Sequence, residues 1–237
     1  CVANGKLLQS NIFDSLWIQP AAGDAGGSLG AALAAYHIYF DKNRHGVSTF
    51  TDAMQGALLG PETTTQEIKS MTQKFNAPFE RFNEYDELAN RVSGLICDGK
   101  IVGWHQGRME WGPRALGNRS ILADARNPEM QKRLNLKIKY RESFRPFAPS
   151  ILFEDVDQVF KLKNESPYML FVSNLLDKHC TKSTRNYHTV NLSERLSMQR
   201  SHLPAITHID FSSRVQTVHH ETNPRYHILL QKIKQKC

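Results

Sequence analysis

The stretch from Gly107 to Arg119, GRMEWGPRALGNR, sets Arg108, Arg114 and Arg119 among Gly112, Pro113 and Gly117. In so turn-rich a segment, guanidinium forks and free backbone N–H groups converge on one anion, which is the chemistry of a polyphosphate clamp. KIKYRESFRPFAP, from Lys137, adds Lys139, Arg141 and Arg145. A solvated charged face would account for the same composition. Against it stand Trp111, Pro113, Phe144, Pro146, Phe147 and Pro149, rigid residues of the kind that hold a site. The chain has no G-x-x-x-x-G-K-[ST] segment, which excludes a Walker-type phosphate loop. In THIDFSSRVQTV, from Thr207, apolar and polar residues alternate, so His208, Asp210, Ser212 and Arg214 gather at a strand end. There a hydroxyl and a guanidinium would hold a phosphate or carbonyl oxygen; the alternative is an ordinary edge strand. GDAGGSLGAAL, from Gly23, puts Asp24 beside Gly26 and Gly27 where a helix begins. That arrangement suits a phosphate at the helix dipole or a metal bound by Asp24.

The location of charge agrees with this reading. The formal net charge is +7, and between Lys100 and Arg145 eleven Lys/Arg face four acids, so this segment holds the whole excess. A cationic surplus confined to one region implies a local anionic ligand, a phosphate-bearing small molecule or a nucleic acid. With 237 residues, 40% hydrophobic and 22% charged, the composition is that of a globular protein of one large or two small domains. No apolar run reaches the roughly 18 residues of a membrane span. Cys1, Cys97, Cys180 and Cys237 are far apart and make no C-x-x-C pair, which favours a reducing compartment. The first residue is Cys1 and no leader is readable, so the expectation is a piece of a longer protein, with a lipidated cysteine as the lesser alternative.

The elements that must position these residues are legible in part. Leu29, Leu33 and Tyr36 mark a tightly packed helix from Gly26 to Tyr39, and Thr64 with Glu67 forms a capping box for a helix over 65–75. A third helix spans 85–98 with Gly99 as its stop, and Asn127-Pro128 and Asn223-Pro224 open two more. Strands are expected over 100–105, 120–124, 147–153, 168–174, 205–210 and 214–219. The polar stretch 177–201 shows no period and is expected as a loop.

Taken in order, CVANGKLL, QPAAGDAGGSLGAAL, GRMEWGPRALGNRSILADAR, KYRESFRPFAPS, LPAITHID with RVQTV, and ETNPRYHILL resemble the carboxyl-terminal portion of O-carbamoyltransferases of the nodulation-protein-U, cephalosporin and tobramycin type. The resemblance spans nearly the whole chain, and motifs as long as GPRALGNRS are specific to it. It implies an α/β (α+β) fold: a YrdC-like twisted mixed sheet with flanking helices, preceded by the end of an actin/sugar-kinase (Kae1-like) domain. The division is then 1–45 for the Kae1-like remnant, 46–76 for a connection and 77–237 for the YrdC-like domain. The implied activity is that the YrdC-like part joins carbamoyl phosphate to ATP as a carbamoyladenylate, and the Kae1-like part passes the carbamoyl group to a hydroxyl with the help of iron (Fe2+).

Arg114, Lys139, Arg145, Ser212 and Arg214 match positions that contact carbamoyl phosphate and the nucleotide phosphates. On this basis Arg114, Lys139 and Arg145 are the expected catalytic residues. Arg108, Arg119, Arg141, His208, Ser212, Arg214, Gly26 and Gly27 are expected to bind substrate, and Asp24 a metal. ATP and carbamoyl phosphate are the implied substrates, with Mg2+ on the ATP phosphates. The family's upstream H-x-x-x-H metal pair is absent, so Asp24 is the one matching iron ligand, and 177–201 matches the family poorly. The expected partners are small anionic substrates and a hydroxyl acceptor that the sequence does not name; pairing into a homodimer and a cytoplasmic location are also implied. No membrane is expected. Nucleic acid is the rival ligand, since YrdC-like domains elsewhere are associated with double-stranded RNA, but two short braced loops suit one small polyanion better than a long duplex.

Overall fold

A computed structural model describes residues 1–44, 52–181, 187 and 189–237. Helix α1 spans Val2–Gln9 and α2 spans Asp24–Ala34, continued by a π turn at Ala35–Tyr39. The later helices are α3 (Thr65–Lys74), α4 (Tyr85–Cys97), α5 (Met130–Lys137), α6 (Val156–Val159), α7 (Leu192–Ser197) and α8 (Pro224–Lys236). The strands are β1 (Val102–His105), β2 (Arg119–Leu122), β3 (Ser150–Leu152), β4 (Phe171–Asn174) and β5 (Ser212–Val218). The architecture is mixed α/β with flanking helices, and its strands form two small sheets. One is the antiparallel pair β1-β2; the other has the order β3-β5-β4, with β3 parallel and β4 antiparallel to β5.

Local chemistry explains several element boundaries. Thr64 accepts from the Glu67 N–H while the Glu67 carboxylate accepts from the Thr64 N–H, closing the capping box of α3. Asn223 caps α8 by accepting from the Tyr226 N–H. Two parallel helices close the carboxyl-terminal half: the Tyr85 hydroxyl at the start of α4 donates to the Arg225 carbonyl, and at their ends Cys97 and Cys237 form a disulfide with Cα atoms 6.2 Å apart. Ala89, Val92 and Ile96 of α4, Trp104 of β1, and Tyr226 and Leu229 of α8 form the core between them. A second core joins Ala21, Met54, Ala57, Leu116 and 168–170, residues drawn from all three segments of the expected division.

The structure corrects four expectations. The cysteines expected to stay reduced include a bonded pair, because helix packing joins positions 140 residues apart in sequence. Residues 205–210 form turns, because Thr207 and Ser201 bond locally, Thr207 Oγ1 to the Leu203 carbonyl and Ser201 Oγ to the Leu203 N–H. The stretch 177–201 contains the capped helix α7 and a 3-10 turn at Asp177–His179; residues 182–186 and 188 lie outside the described residues. The helix expected to be tightly packed has no buried residue in α2, and its continuation leaves Ile38 76% and Tyr39 82% exposed. The expected boundary at 45/46 also falls on residues outside the described set. Among the described residues no helix is long and apolar enough to cross a membrane.

Candidate active site

Strands β1 and β2 pair in register from Val102↔Leu122 to His105↔Arg119, so GRMEWGPRALGN is the loop of a hairpin. That loop is built around one buried carboxylate. Glu110, 4% exposed, accepts from the N–H groups of Leu116 (2.6 Å), Asn118 (2.9 Å) and Arg119 (3.3 Å), and from Arg119 Nε at 2.8 Å. Burial alone would raise its pKa, but the Arg119 guanidinium and the backbone N–H groups outweigh burial and hold it below the ordinary carboxylate value. Gly112 (φ 113°) and Gly117 (φ 110°) take turns closed to other residues. A Cβ on Gly117 would also sit 2.3 Å from the Tyr226 ring. The Trp111 N–H donates to the Ala57 carbonyl and its indole N–H to the Ala25 carbonyl at 3.1 Å, which anchors the loop on the amino-terminal segment.

From this loop Arg114 reaches the Pro20 carbonyl (Nη1, 3.0 Å) and Cys1 Sγ (3.7 Å), while its buried Nε has no partner. Strand β5 brings the next arginine alongside. Gln216 donates to the Leu116 carbonyl at 2.7 Å, and Arg214 lies two residues earlier on the same face of the strand. Protein around Arg214 and then the charge of Arg114 lower the Arg214 pKa. Burial, with Arg145 and Arg214 nearby and Glu142 opposing, lowers that of Arg141. A guanidinium remains charged through such shifts. The charge of Arg114 thus acts on Arg214, and those of Arg145 and Arg214 act on Arg141, so like charges from three separate segments oppose one another.

The other expected residues divide by their contacts. Arg145 pairs with Glu142 at 2.8 Å in an exposed bridge, a kind of pair worth little in water. Lys139 is exposed on the turn after α5. Ser212 Oγ donates to Asp210 Oδ1 at 2.5 Å and His208 Nδ1 lies 3.3 Å from the same oxygen, so in the free protein the Ser212 proton is already engaged. The strand carrying Ser212 and Arg214 is the central one of its sheet, which replaces the edge-strand alternative. Arg119 is held by Glu110, with its Nη2 donating to the Glu110 carbonyl at 2.8 Å, and Arg108 Nη2 donates to the Leu59 carbonyl at 3.2 Å. Both side chains are thus engaged by the protein itself. Gly26 permits a close approach, since a Cβ there would lie 2.5 Å from the Ala21 carbonyl oxygen, and the Gly27 N–H is used by Gly23. Asp24 is exposed, and no group of three His, Cys, Asp or Glu able to hold a metal exists among the described residues. One carboxylate does not fit an iron ion, and no chemical step is assigned to one.

Sequence reasoning missed Glu110. Its signal was a single acid inside a Gly- and Pro-rich strip of three arginines, where a buried counter-charge is the natural way to hold the turns.

Comparison with known proteins follows the same stretches. The family model described as Carbamoyltransferase C-terminus matches residues 93–237, and that described as Carbamoyltransferase N-terminus matches residues 1–33. An uncharacterized Synechocystis protein is 49% identical over 236 residues, covering 99% of this chain and 38% of that protein. Nodulation protein NolO of Bradyrhizobium diazoefficiens is 35% identical over 239 residues, covering 100% of this chain and 39% of its own length. The 3'-hydroxymethylcephem-O-carbamoyltransferase of Amycolatopsis lactamdurans is 34% identical over 230 residues, covering 97% and 37% respectively. The chain thus spans well under half the length of these curated relatives.

Proposed function

The chain belongs to the carbamoyltransferase family, and from that premise we propose that its arginine cluster forms the carbamoyladenylate of an ATP-dependent O-carbamoyltransferase. What supports the reading is that β5, which carries Arg214, is bonded to the hairpin loop of Arg114 through Gln216 and the Leu116 carbonyl, and that the charges of Arg114 and Arg141 both act with that of Arg214. In the proposed reaction, carbamoyl phosphate reacts with water to give carbamate and phosphate. A carbamate oxygen then attacks the α-phosphorus of ATP, forming a C–O–P link as the bond to the β-phosphate oxygen breaks and pyrophosphate leaves. Both reactants are anions. Arginines on several sides offset their repulsion, hold the in-line geometry and stabilise charge on the transferring phosphoryl group. The attacking oxygen is already anionic, so no general base is required. Mg2+ accompanies ATP, and Lys139 joins the arginines as a further cation.

In the same reading residues 1–45 belong to a carbamoyl-transfer unit, 46–76 connect it and 77–237 form the adenylating unit. The intact protein delivers the carbamoyl group to a hydroxyl of a sugar or antibiotic-like acceptor. The work takes place in the cytoplasm, where ATP and carbamoyl phosphate are made.

The test is pyrophosphate release from ATP and Mg2+, with and without carbamoyl phosphate. Release that depends on carbamoyl phosphate is the expected result. A folded protein that releases none, and is stabilised by duplex RNA instead of by the two substrates at fixed salt, overturns the reading.

A further inference from the structure

Asn135 lies on α5 and is fully buried at 0% exposure, yet every polar atom of its side chain is directed at the exposed turn that follows. Its Nδ2 donates to the carbonyls of Ser143 (3.1 Å) and Arg145 (2.8 Å), and its Oδ1 accepts from Arg141 Nε at 2.6 Å. Its own carbonyl accepts from the Arg141 N–H at 3.0 Å. One residue therefore ties the turn at 141, 143 and 145. Around these ties the turn faces solvent: Tyr140, at φ 48°, is 85% exposed and Phe144 50%. Two further bonds assist from its edge, Gln131 Nε2 to the Phe144 carbonyl at 2.7 Å and the Phe147 N–H to the Ala205 carbonyl at 3.0 Å.

We infer that Asn135 is a positioning residue of the anion site, setting Arg141 and Arg145 before any ligand arrives. The inference deepens the phosphate reading above and rests on it. A carboxamide is the group this position requires. A carboxylate would face two carbonyl oxygens without a proton to offer, and an apolar side chain would leave those carbonyls and the Arg141 Nε unmatched. Gripping Arg141 by its Nε, with the guanidinium stacked 4.9 Å from the centre of the Phe147 ring, leaves both Nη groups free of hydrogen bonds among the described residues and turned to use on an anion. Ordering a long cationic side chain is part of the entropy lost on binding a small anion, and for Arg141 it is met during folding, with the backbone at Arg145 fixed by the same residue.

The experiment is a double-mutant cycle on the full chain, with tripolyphosphate binding followed by titration calorimetry and pyrophosphate release followed in parallel. Asn135→Asp and Arg141→Ala are each expected to weaken tripolyphosphate by about tenfold or more. The double variant is expected to lose much less than the product, because Asn135 acts through the arginines. Leu134→Ala, in the core beside it, is the control for loss of stability and is expected to bind tripolyphosphate as wild type does. If Asn135→Asp does not fold, Asn135→Ala, which buries no charge, serves in its place. Wild-type affinity in the Asn135 variant, independent losses in the cycle, or no tripolyphosphate binding by the wild type overturns the inference. Absence of carbamoyl-phosphate-dependent release together with an intact binding cycle sinks the adenylation reading alone.

Discussion

The hairpin loop 106–118 and the turn 137–149 hold their arginines by opposite means. The first is closed around Glu110, which takes four hydrogen bonds from the loop and its end, and is docked on Ala25, Ala57 and Pro20 through Trp111 and Arg114. The second keeps Lys139 and Arg145 in solvent and is tied from beneath by a neutral amide. A buried carboxylate gives rigidity but consumes a cation, since Arg119 is committed to Glu110. A buried amide adds no charge of its own and leaves the Arg141 Nη groups without a hydrogen bond among the described residues. Fixed framework and uncommitted charge are thus divided between the two.

The comparison is broken most completely at Glu110. Glu110→Ala leaves three N–H groups and the Arg119 guanidinium without their acceptor and is expected to cost about 3–5 kcal/mol, read as a fall in thermal midpoint. Acid acts on the same group. Because its folded-state pKa lies below the ordinary carboxylate value, its contribution is fully present above about pH 4.3 and is lost as pH falls through the lowered value. The wild-type midpoint should therefore drop in acid more steeply than that of a Glu110→Gln variant; parallel curves would remove Glu110 as the organising charge.

A smaller loss is expected at Arg114, where Arg114→Ala removes a charge-assisted contact to the anion of about 1.5–3 kcal/mol and should suppress pyrophosphate release while the fold persists. Wild-type turnover would take the hairpin loop out of the site. The smallest effect sharpens the contrast from the other side. Glu142→Gln frees Arg145 from its exposed bridge, so tripolyphosphate should bind a few-fold more tightly, and an unchanged affinity would mean that Arg145 already faces away from the anion.

How much of this was readable beforehand depends on whether the cause was local. The capping box at Thr64, the Asn223 cap, the stop at Gly99 and the hairpin strands rest on neighbours in sequence, and they stand within a residue or two of expectation. The arginine stretches stood out as a candidate site because Gly, Pro and aromatic residues surround them. What each arginine bonds was not legible. Arg119 and Arg114 share one motif, yet one bonds Glu110 and the other the Pro20 carbonyl, a choice made by the packing of the loop on the amino-terminal segment. Asn135 was equally silent: a single Asn in an amphipathic helix carries no sequence sign that a turn will fold back over it. The pairing of Cys97 with Cys237 depends on two helices lying side by side, and spacing could not disclose it.

That pairing changes the connectivity of the molecule. Both sheets and Arg114, Arg141, Arg145 and Arg214 lie on a covalent ring running from Cys97 to Cys237, with the first 96 residues attached to it as a single tail. Topologically the site belongs to a closed loop of chain, so one break in the peptide backbone between β1 and α8 alters the order of the residues without separating any of them from the rest.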